Sequence, residues 1–125
     1  MRRLSSITVM AALGVVVSLP AVAQAKPTFR ATGAENGLCK ILITASWSGA
    51  RVNSLDFTLS TNAASYDSLP VPLGGSTTVE RSGWMQYTFT TTTADTSGFG
   101  VVQFLSSHGR VVGSAKTDPL DIACR

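Results

Sequence analysis

The strongest constraint on the fold is a strict alternation of apolar and polar residues that recurs along the chain. In "LCKILITASWSG", every second residue from Cys39 to Trp47 is apolar, and the residues between them are polar except Leu42. "VNSLDFTLST" and "WMQYTFTTTT" repeat the pattern, and no window after residue 25 keeps a helical period. Successive side chains of a strand point to opposite faces, so the alternation predicts half-buried strands and an all-β fold.

Turn-forming residues separate these segments at spacings of roughly 8–12 residues, which is typical of a sandwich or barrel. We predict an antiparallel two-sheet β-sandwich of about seven or eight strands. Pro70 and Pro72 restrict their segment to an edge strand or a loop. Ser107-His108-Gly109 predicts a hairpin turn in which the glycine takes a positive φ. The predicted strands are 27–32, 38–48, 52–60, 66–72, 76–81, 84–93, 99–106 and 110–117, with Pro119 bending or ending the last one and a short final piece to 124.

Residues 1–25 have the three parts of a secretory signal peptide. Arg2 and Arg3 are followed by an uncharged apolar run over 7–19, and Ala23-Gln24-Ala25 has the small residues of a cleavage site. The run is shorter than the about 20 residues that a membrane span needs. We predict cleavage after Ala25 and a single β-sandwich domain over 26–125. The protein is then exported, periplasmic or extracellular, with no membrane insertion after signal cleavage.

The chain has two cysteines, Cys39 and Cys124. In an oxidising compartment, two cysteines are more often bridged than free, so we predict one intramolecular disulfide. Closing a loop of about 85 residues contributes on the order of 4 kcal/mol in the chain-entropy model. An intermolecular bridge or two free thiols are the alternatives.

The charge of the chain gives little information about a partner. The formal net charge of +3 includes the two arginines of the signal peptide. The remaining chain has eight basic and seven acidic residues, and it has no basic run. We therefore expect no nucleic-acid partner.

Few residues have the chemistry of a catalytic or metal site. The single histidine, His108, lies beside Ser106 and Ser107, but no carboxylate is near in sequence to orient it, and a turn would separate the side chains. Asp118 and Asp121 could contribute oxygens to a calcium site, but a ligand loop is absent. One histidine and a bridged cysteine pair are too few for zinc or copper. We predict no catalytic residue, no cofactor and no metal, and hence no enzyme. The seven carboxylates are scattered: Glu35, Asp56, Asp67, Glu80, Asp95, Asp118 and Asp121.

Trp84 is the candidate surface-contact residue. By alternation it faces away from Met85, Tyr87 and Phe89, so it could be exposed as a platform for a sugar or a partner protein. The alternative is a tryptophan that covers the edge of the sheet. Thr88, Thr90 and Thr92 would form one row on a single face. Such rows can bind ice or carry O-linked sugars, but threonine is also an ordinary outward strand residue.

Two features of this layout resemble immunoglobulin-like and fibronectin type III-like sandwiches. Trp47 lies on an inward face near the end of the second strand, similar to the core tryptophan of fibronectin type III domains. "DTSGFGV" places Asp95 four residues before Phe99, which resembles the signature at the tyrosine corner of immunoglobulin domains. The chain departs from that signature, because Phe99 has no hydroxyl group and Val101 stands at the position of the second core cysteine.

The resemblance implies where the ends of the strands lie. Cys39 opens the second strand and Cys124 follows the last, so both fall at one pole, where a disulfide would hold the C-terminal strand. Loops around 49–52, 73–76 and 94–98 would share one pole and form the default contact surface.

The predicted function is that of an exported non-catalytic module that works by surface binding or as a structural protein. Its partner is an unknown protein or glycan. One alternative is a subunit of a surface polymer, such as a chaperone-assembled pilus or fimbria. Another is a small secreted inhibitor of a hydrolase.

Overall fold

The structure is a computed structural model, and it describes residues 26–75 and 77–124. These residues contain eight β-strands. The predicted signal peptide lies outside these residues. None of the described residues belongs to a helix long and apolar enough to cross a membrane. The strands are β1 (Thr28–Glu35), β2 (Lys40–Val52), β3 (Ser54–Thr61), β4 (Ser65–Pro72), β5 (Glu80–Thr90), β6 (Ser97–Leu105), β7 (Val111–Lys116) and β8 (Leu120–Asp121).

The strands form two antiparallel sheets that pack face to face, which confirms the predicted β-sandwich. One sheet has the order β1-β2-β5, and the other has the order β4-β3-β6-β7. The short β8 pairs with the start of β6, on the same edge that β7 occupies further along. Between β7 and β8, the N–H of Thr117 donates to the carbonyl of Gly100 at 2.9 Å, and the hydroxyl oxygen of Thr117 accepts the N–H of Gly100 at 2.9 Å. The last strand is therefore interrupted before Pro119, as predicted.

The core consists of the apolar residues that alternate along the central strands. Their side chains are buried between the sheets, as the sequence pattern predicted, and each fully buried large one contributes roughly 1.5–3 kcal/mol. Trp47 closes one end, with its indole N–H donating to the carbonyl of Glu80 at 3.1 Å. The buried apolar residues include Ile41, Ile43, Ala45, Trp47, Val52, Leu55, Phe57, Leu59, Phe89, Val102 and Phe104.

The sandwich is closed along one side and open along the other. On the closed side, β1 packs against β7: the ring of Phe29 lies 4.9 Å from that of Phe104 and covers Gly113, where an added Cβ would be 2.3 Å from it. On the open side, Phe57 stacks on Tyr87 at 5.6 Å, but Tyr87 and Met85 are only half-buried. Among the described residues, β2 is the single strand that pairs with β5, so the outer edge of β5 is unpaired.

The predicted strands 76–81 and 84–93 are wrong as two elements, because β5 continues from Glu80 to Thr90 without a break and residues 77–79 belong to no strand. "RSG", near the start of β5, is not a turn. Gly83 is paired with Trp47, and an added Cβ there would lie 2.9 Å from the indole ring. The glycine leaves space for the core tryptophan, and this packing role has no local sequence signal.

The merging of these strands also corrects the predicted position of one loop. β5 carries the chain from one pole of the sandwich to the other. The connections around Asn53, Leu73 and Thr78 meet at the first pole, where Leu73 N donates to Asn53 O at 3.0 Å and Asn53 Nδ2 donates to Thr78 O at 2.7 Å. The 94–98 segment lies at the opposite pole, where Ile122 N donates to Thr96 O at 3.0 Å. The prediction of one shared pole for 49–52, 73–76 and 94–98 is therefore wrong.

The segment with Pro70 and Pro72 is the edge strand β4, one of the two predicted outcomes. A bulge interrupts its pairing with β3, and there the N–H of Phe57 donates to the hydroxyl of Ser68 at 2.9 Å. Leu69 takes a positive φ of 60°, and its N–H donates to Asp67 Oδ1 at 2.8 Å. Prolines and a bulge of this kind protect the β4 edge from pairing with another chain.

Candidate functional site

The candidate site is the outer face of the three-stranded sheet, which we call the Trp84 face. It consists of the outward side chains of β1, β2 and β5, which the register places in rows across the sheet. The central row joins Arg30, Ser46 and Trp84. The rows on either side are Thr32, Thr44 and Gln86, and Thr28, Ser48 and Ser82.

Trp84 is the most exposed large apolar side chain of the described residues, at 67% of its full surface. The alternation predicted that it points outward, and the structure agrees. Trp84 lies on β5, the edge strand of its sheet, and its use as a platform for a sugar or a partner protein stays a prediction. A single exposed apolar side chain is common on soluble proteins, so its surroundings decide its significance.

The outward residues next to Trp84 on the sheet, Ser46, Ser82 and Gln86, are all polar. Gln86 Nε2 donates to the hydroxyl of Thr44 at 3.1 Å, in the row next to Trp84. Further along, Lys40 Nζ donates to the hydroxyl of Thr90 at 3.4 Å. The rows next to Trp84 therefore present hydroxyl and amide groups, which can donate and accept hydrogen bonds, and the row beyond Thr44 adds the apolar Ala34 and Leu42.

The predicted row of three threonines is only partly present. Thr88 and Thr90 point outward from β5, but the strand ends at Thr90. The N–H and hydroxyl of Thr92 bond to Asp95 Oδ2 instead, at 2.9 and 3.3 Å. Thr92 belongs to the following turn, because Asp95 provides it with a stronger hydrogen-bond acceptor than a strand position would.

The two faces of the sandwich differ in charge. Arg30 and Lys40 are the only charged residues in 28–34, 40–48 and 82–90, which contain no aspartate or glutamate. The rows of the Trp84 face therefore contain two cations, and the acidic residues of the same strands, Glu35 and Glu80, are exposed at the ends of β1 and β5. On the other sheet, outside the core, the carboxyl groups of Asp56 and Asp67 interact with each other.

This carboxyl pair has shifted pKa values. Burial, a hydrogen bond with Asp67 and the charge of Asp67 together raise the pKa of Asp56 to about 6. The same hydrogen bond, with a second from the N–H of Leu69, lowers the pKa of Asp67. Asp56 Oδ1 is buried and accepts no hydrogen bond from the described residues. The pair therefore retains a shared proton in mild acid.

The predicted disulfide between Cys39 and Cys124 is present, with the two Cα atoms 4.3 Å apart. Cys39 lies immediately before β2, and its N–H donates to Ala123 O at 3.0 Å. Its carbonyl accepts the N–H of Thr91 at 2.8 Å. The bridge therefore ties the segment after β8 to the start of β2 and the end of β5, at one pole as expected.

Asp95 organises the same pole, and the sequence reasoning missed its partners. The side chain is 1% exposed, and its carboxylate accepts hydrogen bonds from the hydroxyl groups of Tyr66 and Thr61. Burial alone would raise the pKa of Asp95, but the hydrogen bonds from Thr61, Thr92 and Tyr66 outweigh it and lower the pKa. The bond to Asp95 in turn raises the pKa of Tyr66.

The tyrosine whose hydroxyl bonds to Asp95 is therefore Tyr66 of β4, and the position of Phe99 does not provide it. The spacing of Thr92 and Asp95 is a local turn signal that could have been recognised. Tyr66 is 29 residues away from Asp95, and no sequence pattern connects them. A cleft of about 320 Å³ lies beside Asp95 and the disulfide, but the carboxylate is already fully hydrogen-bonded.

His108 lies in the predicted hairpin turn. Gly109 has a φ of 76°, and its N–H donates to Ser106 O at 2.9 Å. The hydroxyl oxygen of Ser106 accepts the backbone N–H groups of His108 and Arg110, each at 3.2 Å. The serine oxygen therefore stabilises the turn. Asp118 and Asp121 are exposed, and within 26–75 and 77–124 no three His, Cys, Asp or Glu side chains are grouped to hold a metal ion.

Comparison with known proteins finds no family model, no curated protein and no solved structure that matches this chain.

Proposed function

We propose that this protein is an exported, non-catalytic binding module of the immunoglobulin-like class, and that it binds its partner through the Trp84 face. The observation that carries the proposal is the exposure of Trp84 in the central row of a flat polar face. Tryptophan combines a large apolar surface with an N–H donor, so it is enriched among the residues that dominate binding energy.

The strand order supports the immunoglobulin-like class. The first, second and fifth strands form one sheet, and the third, fourth, sixth and seventh form the other. This corresponds to strands A, B and E facing strands C′, C, F and G of that class. Trp47 lies in the second strand and is buried, in agreement with the resemblance in the sequence.

Export is supported by the disulfide together with the predicted signal peptide. A disulfide persists in oxidising compartments outside the cytosol. The non-catalytic role is supported by the hydrogen bonds that the candidate catalytic side chains make within the fold. The Ser106 oxygen and the Asp95 carboxylate both stabilise turns, so neither is positioned as a nucleophile or a base.

A Trp84→Ala variant tests the proposal. The mature protein and the variant are applied to arrays of immobilised polysaccharides and extracellular proteins. Because the indole is exposed, we expect an unchanged thermal midpoint and a loss of binding of about tenfold or more, as for an interface hot spot. Val111→Ala, which shortens another exposed apolar side chain on β7, is the control. Binding that is the same in all three proteins would contradict the proposal.

A second candidate, a subunit of a surface polymer, is favoured by one observation: the unpaired edge of β5. Residues 82–90 of this edge contain no charge and no proline. Such an edge can pair with a strand from another chain. The disulfide-bound C-terminal strand counts against a donor-strand polymer, because that strand is already in place. The hydrolase-inhibitor function stays a prediction.

A further inference from the structure

We propose that the ligand of the Trp84 face is a polyuronate, a polysaccharide with a carboxylate on its sugar rings. This inference rests on the proposed function, because it names the partner class of the same face. Three observations carry it: the exposed indole, the surrounding hydroxyl and amide groups, and the positions of Arg30 and Lys40 on the face.

The first step is the chemistry of the central row. One face of a pyranose ring presents C–H groups and is apolar, while its rim carries hydroxyl groups. The indole of Trp84 can stack against the apolar face. The hydroxyls of Ser46 and Ser82 and the amide of Gln86 then surround the rim, where they can exchange hydrogen bonds with the sugar hydroxyls.

The second step is the charge. Arg30 shares the row of Trp84, with Ser46 of β2 between them. Neighbouring strands lie about 4.8 Å apart, so the Cα atoms of Arg30 and Trp84 are separated by about 10 Å. The guanidinium can therefore reach a carboxylate on a ring stacked against the indole, in the bidentate geometry that arginine favours.

The third step is the length of the ligand. Lys40 lies six residues along β2 from Ser46, which corresponds to about 20 Å of strand. On β2 and β5 no carboxylate lies between the levels of these two cations, and the carboxylate nearest to Lys40 is Glu35 at the end of β1, where it pairs with Ile41. A repeating anion that runs along β2 and β5 meets both charges, whereas a single sugar contacts only the first. A protein partner has no such requirement for regularly spaced carboxylates, so the observations favour the polymer.

The experiment compares ligands that differ only in charge. Polygalacturonate and its methyl-esterified form have the same sugar backbone, but the ester has no carboxylate charge. Dextran sulfate and a panel of extracellular proteins complete the set. Binding is measured by calorimetry or on immobilised ligand at two salt concentrations. We expect binding to polygalacturonate that weakens with salt, and at least about tenfold weaker binding to the ester.

The variants locate the site. Arg30→Gln should weaken binding to polygalacturonate about tenfold, since it removes a charge-assisted hydrogen bond, and Lys40→Gln should weaken it by a smaller factor. Trp84→Ala should abolish binding to both forms. Arg110→Gln removes the same charge from the hairpin turn at the pole, and it should leave affinity unchanged. All variants should keep the thermal midpoint of the wild type.

The outcomes separate the two proposals. Equal, Trp84-dependent binding to the acid and the ester, or Trp84-dependent binding only to dextran sulfate or to a protein, would overturn the polyuronate and leave the Trp84 face as the binding site. An equal loss in Arg110→Gln and Arg30→Gln would indicate non-specific attraction and would also overturn it. If no ligand shows binding that depends on Trp84, both proposals fail.

Discussion

Asp56 and Asp95 are carboxylates of one small sandwich, yet their surroundings shift their pKa values in opposite directions. Asp95 is buried, and its hydroxyl and N–H donors stabilise the ionised form. Asp56 is partly buried beside another carboxyl group, so the protonated form is favoured. The number of available donors decides the direction, because burial penalises the charge in both cases. Neither environment can be recognised in the local sequence, since both depend on residues of other strands.

Asp56→Asn should stabilise the protein at pH 7.5 and lose this advantage in acid. The folded-state pKa of about 6 lies above the ordinary value of 3.8, so the stability due to protonated Asp56 is complete below about pH 4 and is lost as the pH rises through 6. Asparagine imitates the protonated form at every pH. The gain at pH 7.5 should be about 1–2 kcal/mol, below the full equivalent of the shift because solvent screens a partly exposed carboxyl group.

Urea denaturation at pH 4 and pH 7.5 measures this difference in the free energy of unfolding. Asp118→Asn, which removes an exposed carboxylate elsewhere, controls for the change in net charge. If Asp56→Asn shifts stability equally at both pH values, the two carboxyl groups do not share a proton.

At the scale of the elements, the last strand is held by very few backbone pairs. β8 has two residues and pairs only with Ser97 and Gly98 of β6. Two residues of strand pairing are too few to resist fraying, so the covalent bond from Cys124 to Cys39 has a structural purpose. The bridge adds a covalent bond to a segment that the Ile122–Thr96 and Cys39–Ala123 backbone hydrogen bonds also hold.

Replacing both cysteines by alanine should lower the free energy of unfolding by on the order of 4 kcal/mol, mainly because the unfolded chain is no longer constrained over a separation of 85 residues. Both must be replaced, since one variant alone leaves a reactive thiol. Denaturant midpoints of the wild type, the reduced wild type and the double variant measure the effect. The intact oxidised protein should be about 2 Da lighter than its reduced form, as one disulfide requires.

Binding through the Trp84 face should survive in the double variant under conditions where it remains folded, because the disulfide is at one pole and Arg30, Ser46 and Trp84 form a row in the sheet between the poles. A double variant with the same midpoint as the wild type would show that β8 does not need the bridge.

At the scale of the whole molecule, the two sheets end differently on the open side of the sandwich. The edge of β4 is protected by prolines and a bulge, whereas β5 has an unprotected edge over residues 82–90. Inward-facing Met85 and Tyr87 remain half-buried there. On this open side, within the described residues, the edge of β5 is therefore available to another strand.

We expect concentration-dependent self-association through β5, measured as molar mass by light scattering after size exclusion. Thr88→Lys places a charge on this edge and should abolish association. Thr44→Lys places the same charge on the same face, but on the central strand β2, and should leave association intact. A wild-type protein that is monomeric at all concentrations would contradict the polymer function and leave the Trp84 face as the functional surface.

Features that depend on neighbours along the chain could be predicted from the amino-acid sequence. Alternation specified which residues of β2, β3 and β5 point inward, because the side-chain period of a strand is local. It also placed Trp84 outward, identified the Gly109 turn, and indicated the Cys39–Cys124 pair through the cysteine count.

Tertiary structure alone decided the features that join distant residues. Gly83 resembled a turn residue in the sequence, but it lies inside β5 because the indole of Trp47 occupies the space above it. Because β5 is one continuous strand, the 94–98 segment lies at the pole opposite to the loops around 49–52 and 73–76. The Tyr66–Asp95 bond and the Arg30–Ser46–Trp84 row likewise depend on strand order and register. Register is determined by packing between sheets, which a pattern along one strand does not contain.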